Sequence, residues 1–230
     1  MLTLSVIVPA FNEQDSILKV LQAVALQQTG DVKLEVIVVD DGSKDSTVEI
    51  VRARPDLYSH LVALPRNGGK GAAVKAGLAR ASGAYVLIQD ADLEYDPTDY
   101  PRLLLPVVKG QADMVMGSRL TAPPVTRVHY FWHRVGNHML TLMFNVIYNT
   151  TFTDIYCGFL LYRRDLIEPS ELRSTGWEQH AEMLGKLVRR ANHIYEVPIS
   201  YFGRTYAEGK KIRFHHIFPV IWQILIGRFS

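Results

Sequence analysis

Two aspartates one residue apart, Asp90 and Asp92, follow an apolar run over residues 85–89 that is typical of a buried strand. Carboxylates spaced in this way at a strand end can share one hard cation, and oxygen ligands suit Mg²⁺ or Mn²⁺ better than zinc. Glu94 would lie on the same side of an extended backbone and is a candidate third ligand. Such an ion could bridge the carboxylates to a diphosphate. The alternative is a polar turn with capping aspartates, because Asp-x-Asp alone is a common pattern.

A second polar motif, Asp-Asp-Gly-Ser at residues 40–43, also ends an apolar run. A carboxylate at this place could hydrogen-bond a base or a ribose. Alternatively, Asp41 and Ser43 shape the turn, and Ser43 or Asp45 caps the next helix.

A glycine-rich segment, Asn-Gly-Gly-Lys-Gly at residues 67–71, precedes an alanine-rich helical pattern. Glycines permit close backbone approach, a helix N-terminus attracts anions, and Lys70 adds a positive charge near a phosphate. The segment lacks the spacing of a P-loop, and a plain turn before a helix is an equally good interpretation.

The elements that position these motifs alternate between strand and helix. The predicted strands are residues 3–9, 34–39, 61–64, 85–89, 112–116, 159–162 and 194–201, and the predicted helices are residues 13–28, 43–54, 71–81, 129–148, 178–190 and 215–229. Continuous apolar strands alternating with helices are typical of a parallel sheet covered on both faces. Such sheets bind ligands at the carboxyl ends of their strands, which is where the polar motifs collect. We therefore predict a single α/β domain with a mainly parallel, twisted sheet flanked by helices.

Composition limits the remaining possibilities. The chain has 230 residues, 48% of them hydrophobic, and a formal net charge of +2, which gives no argument for a nucleic-acid partner. One cysteine, Cys157, excludes an internal disulfide framework and suits a reducing compartment. The sequence offers no signal-peptide pattern and no apolar run long enough to span a bilayer. We expect a cytoplasmic protein, soluble or peripheral at the inner face of the cell membrane.

The C-terminal segment, residues 214–230, is apolar nearly all round and follows a basic stretch. It could lie in a membrane interface, or it could dock on the core or on a second protomer to form a homo-oligomer. The aromatic helix over residues 129–148 has the same ambiguity, and its histidines His129 and His133 suit packing better than metal binding.

Four motifs occur in a fixed order, at residues 8–13 (Val-Pro-Ala-Phe-Asn-Glu), 38–43, 67–71 and 89–93. This series resembles the family 2 glycosyltransferases of the GT-A fold, and most closely their polyprenyl-phosphate branch, which includes the dolichyl-phosphate mannose synthases. The resemblance is strong over residues 3–119. It implies a GT-A domain over residues 1–213, with a nucleotide-sugar-binding half at residues 1–119 and an acceptor half at residues 120–213.

The same resemblance implies an inverting transfer of a hexose from GDP-mannose or UDP-glucose to a dolichyl or undecaprenyl phosphate, with Mg²⁺ or Mn²⁺, at the cytoplasmic membrane face. Around the nucleotide sugar it places Pro9, Phe11, Glu13, Asp40, Asp41, Lys70, Asp90, Ala91 and Arg119. To the acceptor and its phosphate it assigns Arg134, Asp154, Arg204, Lys210 and Lys211, the two lysines being alternatives for one position. Asp90, Asp92 and Glu94 would hold the metal, and the catalytic residues would be Asp92, Arg119 and Arg134.

Two positions depart from the family pattern. Phe11 stands where tyrosine is usual, which loses a hydroxyl but keeps a ring for stacking. Glu94 stands where glutamine is frequent, which keeps an oxygen ligand and adds charge.

The nature of the acceptor stays open at the level of sequence. A lipid phosphate is already a nucleophile at neutral pH and needs cations rather than a base. A hydroxyl on a glycan, lipid or protein would require a carboxylate base, for which Asp154, Glu178 and Glu182 are the candidates. A sugar nucleotidyltransferase is disfavoured because the first strand-to-helix loop lacks a glycine-rich basic signature. A non-catalytic scaffold is disfavoured by the intact aspartate pair.

Overall fold

The computed structural model describes residues 1–122, 124–128, 131–204 and 217–228. Its strands are β1 (Leu2–Ala10), β2 (Val32–Asp40), β3 (His60–Ala63), β4 (Tyr85–Ile88), β5 (Met114–Ser118), β6 (Leu160–Arg163) and β7 (Ile194–Pro198). Its α-helices are α1 (Ile17–Ala25), α2 (Thr47–Arg52), α3 (Lys70–Leu78), α4 (Tyr100–Gly110), α5 (Phe131–Tyr148), α6 (Gln179–Arg190) and α7 (Ile217–Gly227). The strands form one sheet in the order β3-β2-β1-β4-β6-β5-β7. The prediction of one α/β domain with a mainly parallel sheet is confirmed.

The first four strands of the chain pair in parallel, with β1 between β2 and β4. The valine and isoleucine side chains of β1, β2 and β4 are buried on both faces, as the continuous apolar runs predict, whereas the edge strand β3 is only partly buried. Helix α3 lies very close to this layer, because a Cβ at Gly77 would come within 2.5 Å of Ile7 Cγ2. This close approach holds the C-terminal part of α3 against β1, while the backbone N–H of Gly71, at its start, donates a 2.7 Å hydrogen bond to the carbonyl of Thr175.

Strand β6 runs antiparallel to both of its neighbours, β4 and β5, and β7 pairs in parallel with β5. Consequently β5 and β7 point in the same direction as β1 to β4. The loops after β1, β2, β4, β5 and β7 therefore meet at one edge of the sheet.

Helix α4 was not among the predicted helices, and its prolines explain the omission. Pro101 lies in the first turn, where a backbone N–H has no helical partner, and Pro106 lies inside the helix. Tyr100, at the start of α4, donates a hydrogen bond of 2.9 Å to Gln89 Oε1. The Gln89 amide in turn donates to the carbonyl oxygens of Asp90 and Tyr95. The missed helix thus anchors the loop that carries the aspartate pair.

The helices α5, α6 and α7 pack together beside the sheet edge. One face of α7 docks on the domain, since Val220 and Ile224 are buried and Tyr148 hydrogen-bonds the carbonyl of Ile224. Its other face is exposed, with Trp222 at 63%. Among the described residues, no helix combines the length and the hydropathy needed to cross a bilayer.

Candidate active site

A cavity of about 690 Å³ opens where the loops after the parallel strands meet. The residues singled out from the sequence that line it are Pro9, Phe11, Glu13, Asp41, Lys70, Asp90, Ala91, Asp92, Glu94, Arg119, Arg134 and Arg204. Asp40 and Asp154 are buried and do not line it. Lys210 and Lys211 lie outside the described residues. The structure thus brings all of the predicted donor residues except Asp40 to one cavity, together with Arg134 and Arg204 of the predicted acceptor set.

The aspartate pair lies on a tightly held turn. Asp90 forms an ion pair with Lys70 at the start of α3, and Asp92 accepts a hydrogen bond of 3.2 Å from the backbone N–H of Glu94. Leu93, which follows Asp92, has a φ of +61°, a conformation that residues other than glycine rarely adopt. Backbone strain of this kind persists where the surrounding structure enforces it, and it is common at functional sites.

The oxygen atoms around the aspartate turn show whether a divalent cation could bind there. No three histidine, cysteine, aspartate or glutamate side chains of the described residues form a ready ligand group. Asp90 and Asp92 nevertheless offer two carboxylates to the cavity, and Gly158 leaves space against Asp90, because a Cβ there would lie 2.8 Å from Oδ2. Two carboxylates completed by phosphate oxygens and water are the usual protein environment of Mg²⁺. The pair therefore fits a cation that arrives with a diphosphate.

Arg204, in the segment after β7, contacts the carboxylates of the aspartate turn. Its Nη2 lies 2.7 Å from Asp92 Oδ2, and its backbone N–H donates a 2.8 Å hydrogen bond to Glu94 Oε1. The other Glu94 oxygen accepts a 2.8 Å bond from the Tyr201 hydroxyl. In this arrangement Glu94 holds the segment after β7 in place, and its role as a metal ligand stays a prediction.

The pKa of Asp92 is raised to about 7. Burial is the main cause, followed by the negative charges of Asp90 and Glu94, while the guanidinium of Arg204 opposes the rise. The concentration of negative charge at this turn is what a bound cation would relieve.

Arg119, which follows β5, is fixed by a fully buried carboxylate. Its Nε and Nη2 donate to the two oxygens of Asp154 at 2.6 and 2.8 Å, and Asn137 from α5 donates to the same group. Although burial would raise the pKa of Asp154, the charge and hydrogen bonds of Arg119 hold it below the usual range. The guanidinium also lies 5.0 Å from the ring centre of Tyr201. Asp154 therefore positions Arg119, and its predicted contact with the acceptor stays a prediction.

The acidic turn after β2 has a structural role in this arrangement. Asp41 accepts bonds of 2.8 Å from the backbone N–H groups of both Gly68 and Gly69, which ties the turn to the glycine-rich segment. Asp40 Oδ2 accepts from the backbone of Gly42 and residue 43, whereas its buried Oδ1 has no hydrogen-bond partner among the described residues. That oxygen is the acceptor that the turn leaves unused.

The other two candidate bases are bound to backbone groups. Glu182 is buried and accepts hydrogen bonds from the backbone N–H groups of Arg173 and Ser174 at 2.8 to 3.1 Å. Glu178 accepts one of 3.1 Å from Gly176. Both carboxylates therefore shape the loop before α6.

Several cavity residues were not found by the sequence reasoning. Trp177 lies with its ring centre 5.5 Å from Lys70 Nζ, and His180 contacts the carbonyl of Ile155 at 2.9 Å. Burial lowers the pKa of His180 to about 4, so the imidazole is neutral at physiological pH. Tyr201 also lines the cavity. Since it follows β7, the strand-end rule that led to Asp90 would have found it.

The family of the chain follows from a match over most of its length. Residues 5–169 match the family model described as glycosyl transferase family 2. The chain belongs to glycosyltransferase family 2. The resemblance inferred from the four motifs is confirmed.

Curated relatives support the same membership. The hexosyltransferase Agl6 of low-salt glycan biosynthesis from Haloferax volcanii is 34% identical and covers 88% of this chain, with 48% of its own length matched. The dolichyl-phosphate beta-glucosyltransferase ALG5D from Trichomonas vaginalis is 31% identical, covering 91% of this chain and 68% of the relative. The undecaprenyl-phosphate 4-deoxy-4-formamido-L-arabinose transferase from Salmonella paratyphi B is 29% identical, and the match covers 90% of this chain and 62% of the relative. The chain thus spans about half to two thirds of the length of these relatives.

Solved structures support the fold. Glucosyl-3-phosphoglycerate synthase from Mycobacterium tuberculosis, in complex with Mn²⁺, UDP and phosphoglyceric acid, superposes with a TM-score of 0.75 at 22% identity and covers 99% of this chain and 78% of its own. TarS from S. aureus superposes with a TM-score of 0.63 at 22% identity, and the match covers 99% of this chain and 72% of the TarS chain. At this level of identity the likeness establishes the fold that this family 2 chain shares with them.

Proposed function

We propose that the chain transfers a hexose, with inversion, from a nucleotide sugar to a polyprenyl phosphate at the cytoplasmic face of the cell membrane. GDP-mannose and UDP-glucose are the donors considered. Two of the relatives are named for polyprenyl-phosphate acceptors, one dolichyl and one undecaprenyl. The alternative is a family 2 transferase that acts on a hydroxyl acceptor.

The donor would lie along the strand ends. Asp90 and Asp92 would hold Mg²⁺ or Mn²⁺ together with the diphosphate, and the bound cation would offset the charge that develops on the departing nucleoside diphosphate. Lys70, at the N-terminus of α3 and beside Asp90, would add positive charge on the same side. Phe11, which lines the cavity, would stack against the base. Asp40 is buried and does not line the cavity, so its contact with the nucleoside stays a prediction from the sequence.

The main observation in favour of a phosphate acceptor is that all three candidate bases already accept hydrogen bonds within the protein. Asp154 is bound to Arg119, and Glu178 and Glu182 are bound to backbone N–H groups. A carboxylate occupied in this way is poorly placed to remove a proton from a hydroxyl. A phosphate acceptor needs no base, but it needs cations that bring two negatively charged phosphates together.

The cations on the acceptor side are arginines. Arg119 is held rigidly by its forked contact with Asp154, so little side-chain entropy is lost when it binds a phosphate. Arg134 is exposed on α5, lines the cavity, and makes no ion pair with another described residue. It is therefore the residue that we expect to receive the phosphate of the lipid.

The acceptor assignment can be tested with Arg134→Ala and Glu182→Gln. Transfer to a polyprenyl phosphate should fall about 10²–10³-fold in Arg134→Ala, the usual loss when one preorganised charge-stabilising group is removed. Glu182→Gln keeps most of the loop hydrogen bonds and should retain transfer. Arg52→Ala, on the exposed side of α2, controls for the loss of a positive charge.

The opposite pattern would contradict the phosphate acceptor. If Glu182→Gln abolished transfer in a folded protein that still bound the donor, and Arg134→Ala did not, the hydroxyl-acceptor alternative would be favoured. Donor binding is measured separately with nucleoside diphosphate and Mn²⁺, so that a defect in folding is not mistaken for a defect in catalysis.

An exposed aromatic surface supports the membrane location. Phe131 and Trp132 at the start of α5 are 68% and 76% exposed, and Phe218 and Trp222 on the adjacent α7 are 62% and 63% exposed. Tryptophan and phenylalanine at the edge of an amphipathic surface favour the interface of a bilayer. The buried face of α7 leaves this exposed face for a membrane or for a second protomer.

Vesicle sedimentation distinguishes a membrane-binding surface from a surface that binds a second protomer. The double variant Phe131→Ser and Trp222→Ser should lose binding to anionic phospholipid vesicles. Leu26→Ser, which removes an even more exposed apolar residue just after α1, should not. Unchanged vesicle binding together with a shift from dimer to monomer would assign the surface to self-association instead.

A further inference from the structure

Arg204 brings one guanidinium to carboxylates from two separate loops. Its Nη2 is 2.7 Å from Asp92 Oδ2, its Nη1 is 3.6 Å from Glu13 Oε2, and its Nε is 3.6 Å from Glu94 Oε1. Glu13 belongs to the loop after β1, and the other two belong to the loop after β4. The Arg204 side chain is only 22% exposed, so these charges are poorly screened by water.

Carboxylates are concentrated at this turn. Among the described residues, Asp90 pairs with Lys70, while Asp92 and Glu94 share the guanidinium of Arg204. Such a concentration of carboxylates attracts a divalent cation. The contact between Arg204 and Asp92 nevertheless occupies one oxygen of the aspartate pair on which such a cation would depend.

The guanidinium is incompletely satisfied in this position. Its Nε is buried and has no hydrogen-bond partner among the described residues, because Glu94 is beyond hydrogen-bonding distance. A buried donor without an acceptor is unfavourable, so the present contact is not the best environment available to Arg204.

We infer that Arg204 is an internal counter-cation, which holds the place of the divalent ion in the metal-free protein and gives up Asp92 when metal and nucleotide bind together. A guanidinium and a divalent cation on the same carboxylate repel each other. The metal alone therefore binds weakly, since it must displace Arg204. A nucleoside diphosphate removes this obstacle because its phosphate oxygens offer Arg204 new acceptors. The inference rests on the proposed function, since it takes Asp90 and Asp92 as the metal site.

Mn²⁺ binding to the full chain, followed by electron paramagnetic resonance of the free ion, tests the inference without an activity assay. Without nucleotide, Arg204→Gln should bind Mn²⁺ about tenfold more tightly than the wild-type protein. With UDP or GDP present the difference should shrink or reverse, because the variant lacks the guanidinium that the phosphates engage. Arg52→Gln, at an exposed arginine of α2, is the matched control and should bind Mn²⁺ as the wild-type protein does.

Thermal unfolding gives a second measurement on the same proteins. In EDTA, Arg204→Gln should unfold at a lower temperature than the wild-type protein, because the carboxylates then repel each other without a counter-ion. Saturating Mn²⁺ should restore the unfolding temperature. If Arg204→Gln does not fold, Arg204→Lys replaces it, and a severalfold tighter binding of Mn²⁺ is expected because an ammonium cannot span the carboxylates.

The inference is overturned if a folded Arg204 variant binds Mn²⁺ without nucleotide as tightly as, or more weakly than, the wild-type protein. That outcome would make Arg204 a permanent support of the loop. Failure of the proposed metal site is a different result, since the wild-type protein would then bind no Mn²⁺ even with UDP or GDP present.

Discussion

Replacing Gly158 with alanine probes the most crowded contact of the aspartate turn. An added Cβ would lie 2.7 Å from Tyr95 Cε2 and 2.8 Å from Asp90 Oδ2, well inside van der Waals contact. The carboxylate of Asp90 can turn away, but Tyr95 cannot, because its ring packs between Phe159 and Tyr201 with centroid distances of 5.2 Å to each. Alanine therefore displaces both the backbone at 158 and Asp90, the first of the two carboxylates proposed to hold the metal.

The expected cost follows from this overlap. Forcing one extra methyl group into a packed site costs about 1–3 kcal/mol. For a chain of this size each kcal/mol lowers the unfolding temperature by about 2–4 °C. Since small displacements of site groups have large effects on geometry-dependent steps, we also expect UDP or GDP with Mn²⁺ to bind at least about tenfold more weakly. Calorimetric titration and differential scanning calorimetry measure the two effects.

Gly136 provides a matched control within the same cavity. It lies inside α5, lines the cavity, and a Cβ there would meet nothing within 4 Å. Gly136→Ala should therefore stabilise the protein by about 0.5–1 kcal/mol through helix propensity and leave nucleotide binding unchanged. Equal unfolding temperatures and equal affinities for Gly158→Ala and the wild-type protein would refute the reasoning.

Two further predictions concern buried carboxylates. Asp154→Asn should destabilise the protein by about 3–5 kcal/mol in urea unfolding, because it removes the buried counter-charge of Arg119, whose side chain is only 15% exposed. Asp165→Asn, at an exposed pair, should cost less than about 1 kcal/mol. Similar losses in both variants would show that burial does not set the difference. Burial alone would raise the pKa of Glu35, but hydrogen bonds from Ser5 and the backbone and side-chain groups of residues 82–83 lower it, so this carboxylate stabilises the fold at neutral pH. The ordinary pKa of a glutamate is about 4.3, and the pKa of Glu35 in the folded protein is lower. The stabilisation should therefore be lost as the pH falls from about 4.3 through the lower pKa of the folded protein. Glu35→Gln should flatten this part of the profile of urea midpoint against pH.

Much of the nucleotide side could be predicted because its signals are local. Apolar, β-branched runs predict the strands, and the polar residue that follows each run is placed by the direction of a parallel sheet alone. Asp90, Asp41 and Lys70 reach the cavity for this reason. The glycines between them also belong to short motifs that can be read without a structure.

The remaining features depend on contacts that are distant in the sequence. Asp92 meets Arg204 across 112 positions, and no local pattern marks that pair. The antiparallel position of β6 between β4 and β5 likewise depends on tertiary contacts, because the sequence of a short apolar strand does not indicate in which direction it will pair. Helix α4 was missed for a local reason, because proline counts against a helix in any pattern, even where its position in the first turn is harmless.

The place of β6 in the sheet has a practical consequence for domain exchange. Strand β6, from the predicted acceptor half at residues 120–213, lies between β4 and β5 of the predicted nucleotide half and pairs with both. A chimera joined at residue 119 would therefore ask a foreign strand to complete the middle of the sheet, in register with Val86 on one side and Val115 on the other. If the proposed acceptor side is to be exchanged, α5 and the loop before α6 are the better segments, because both line the cavity, with β6 kept from the parent that supplies residues 1–119.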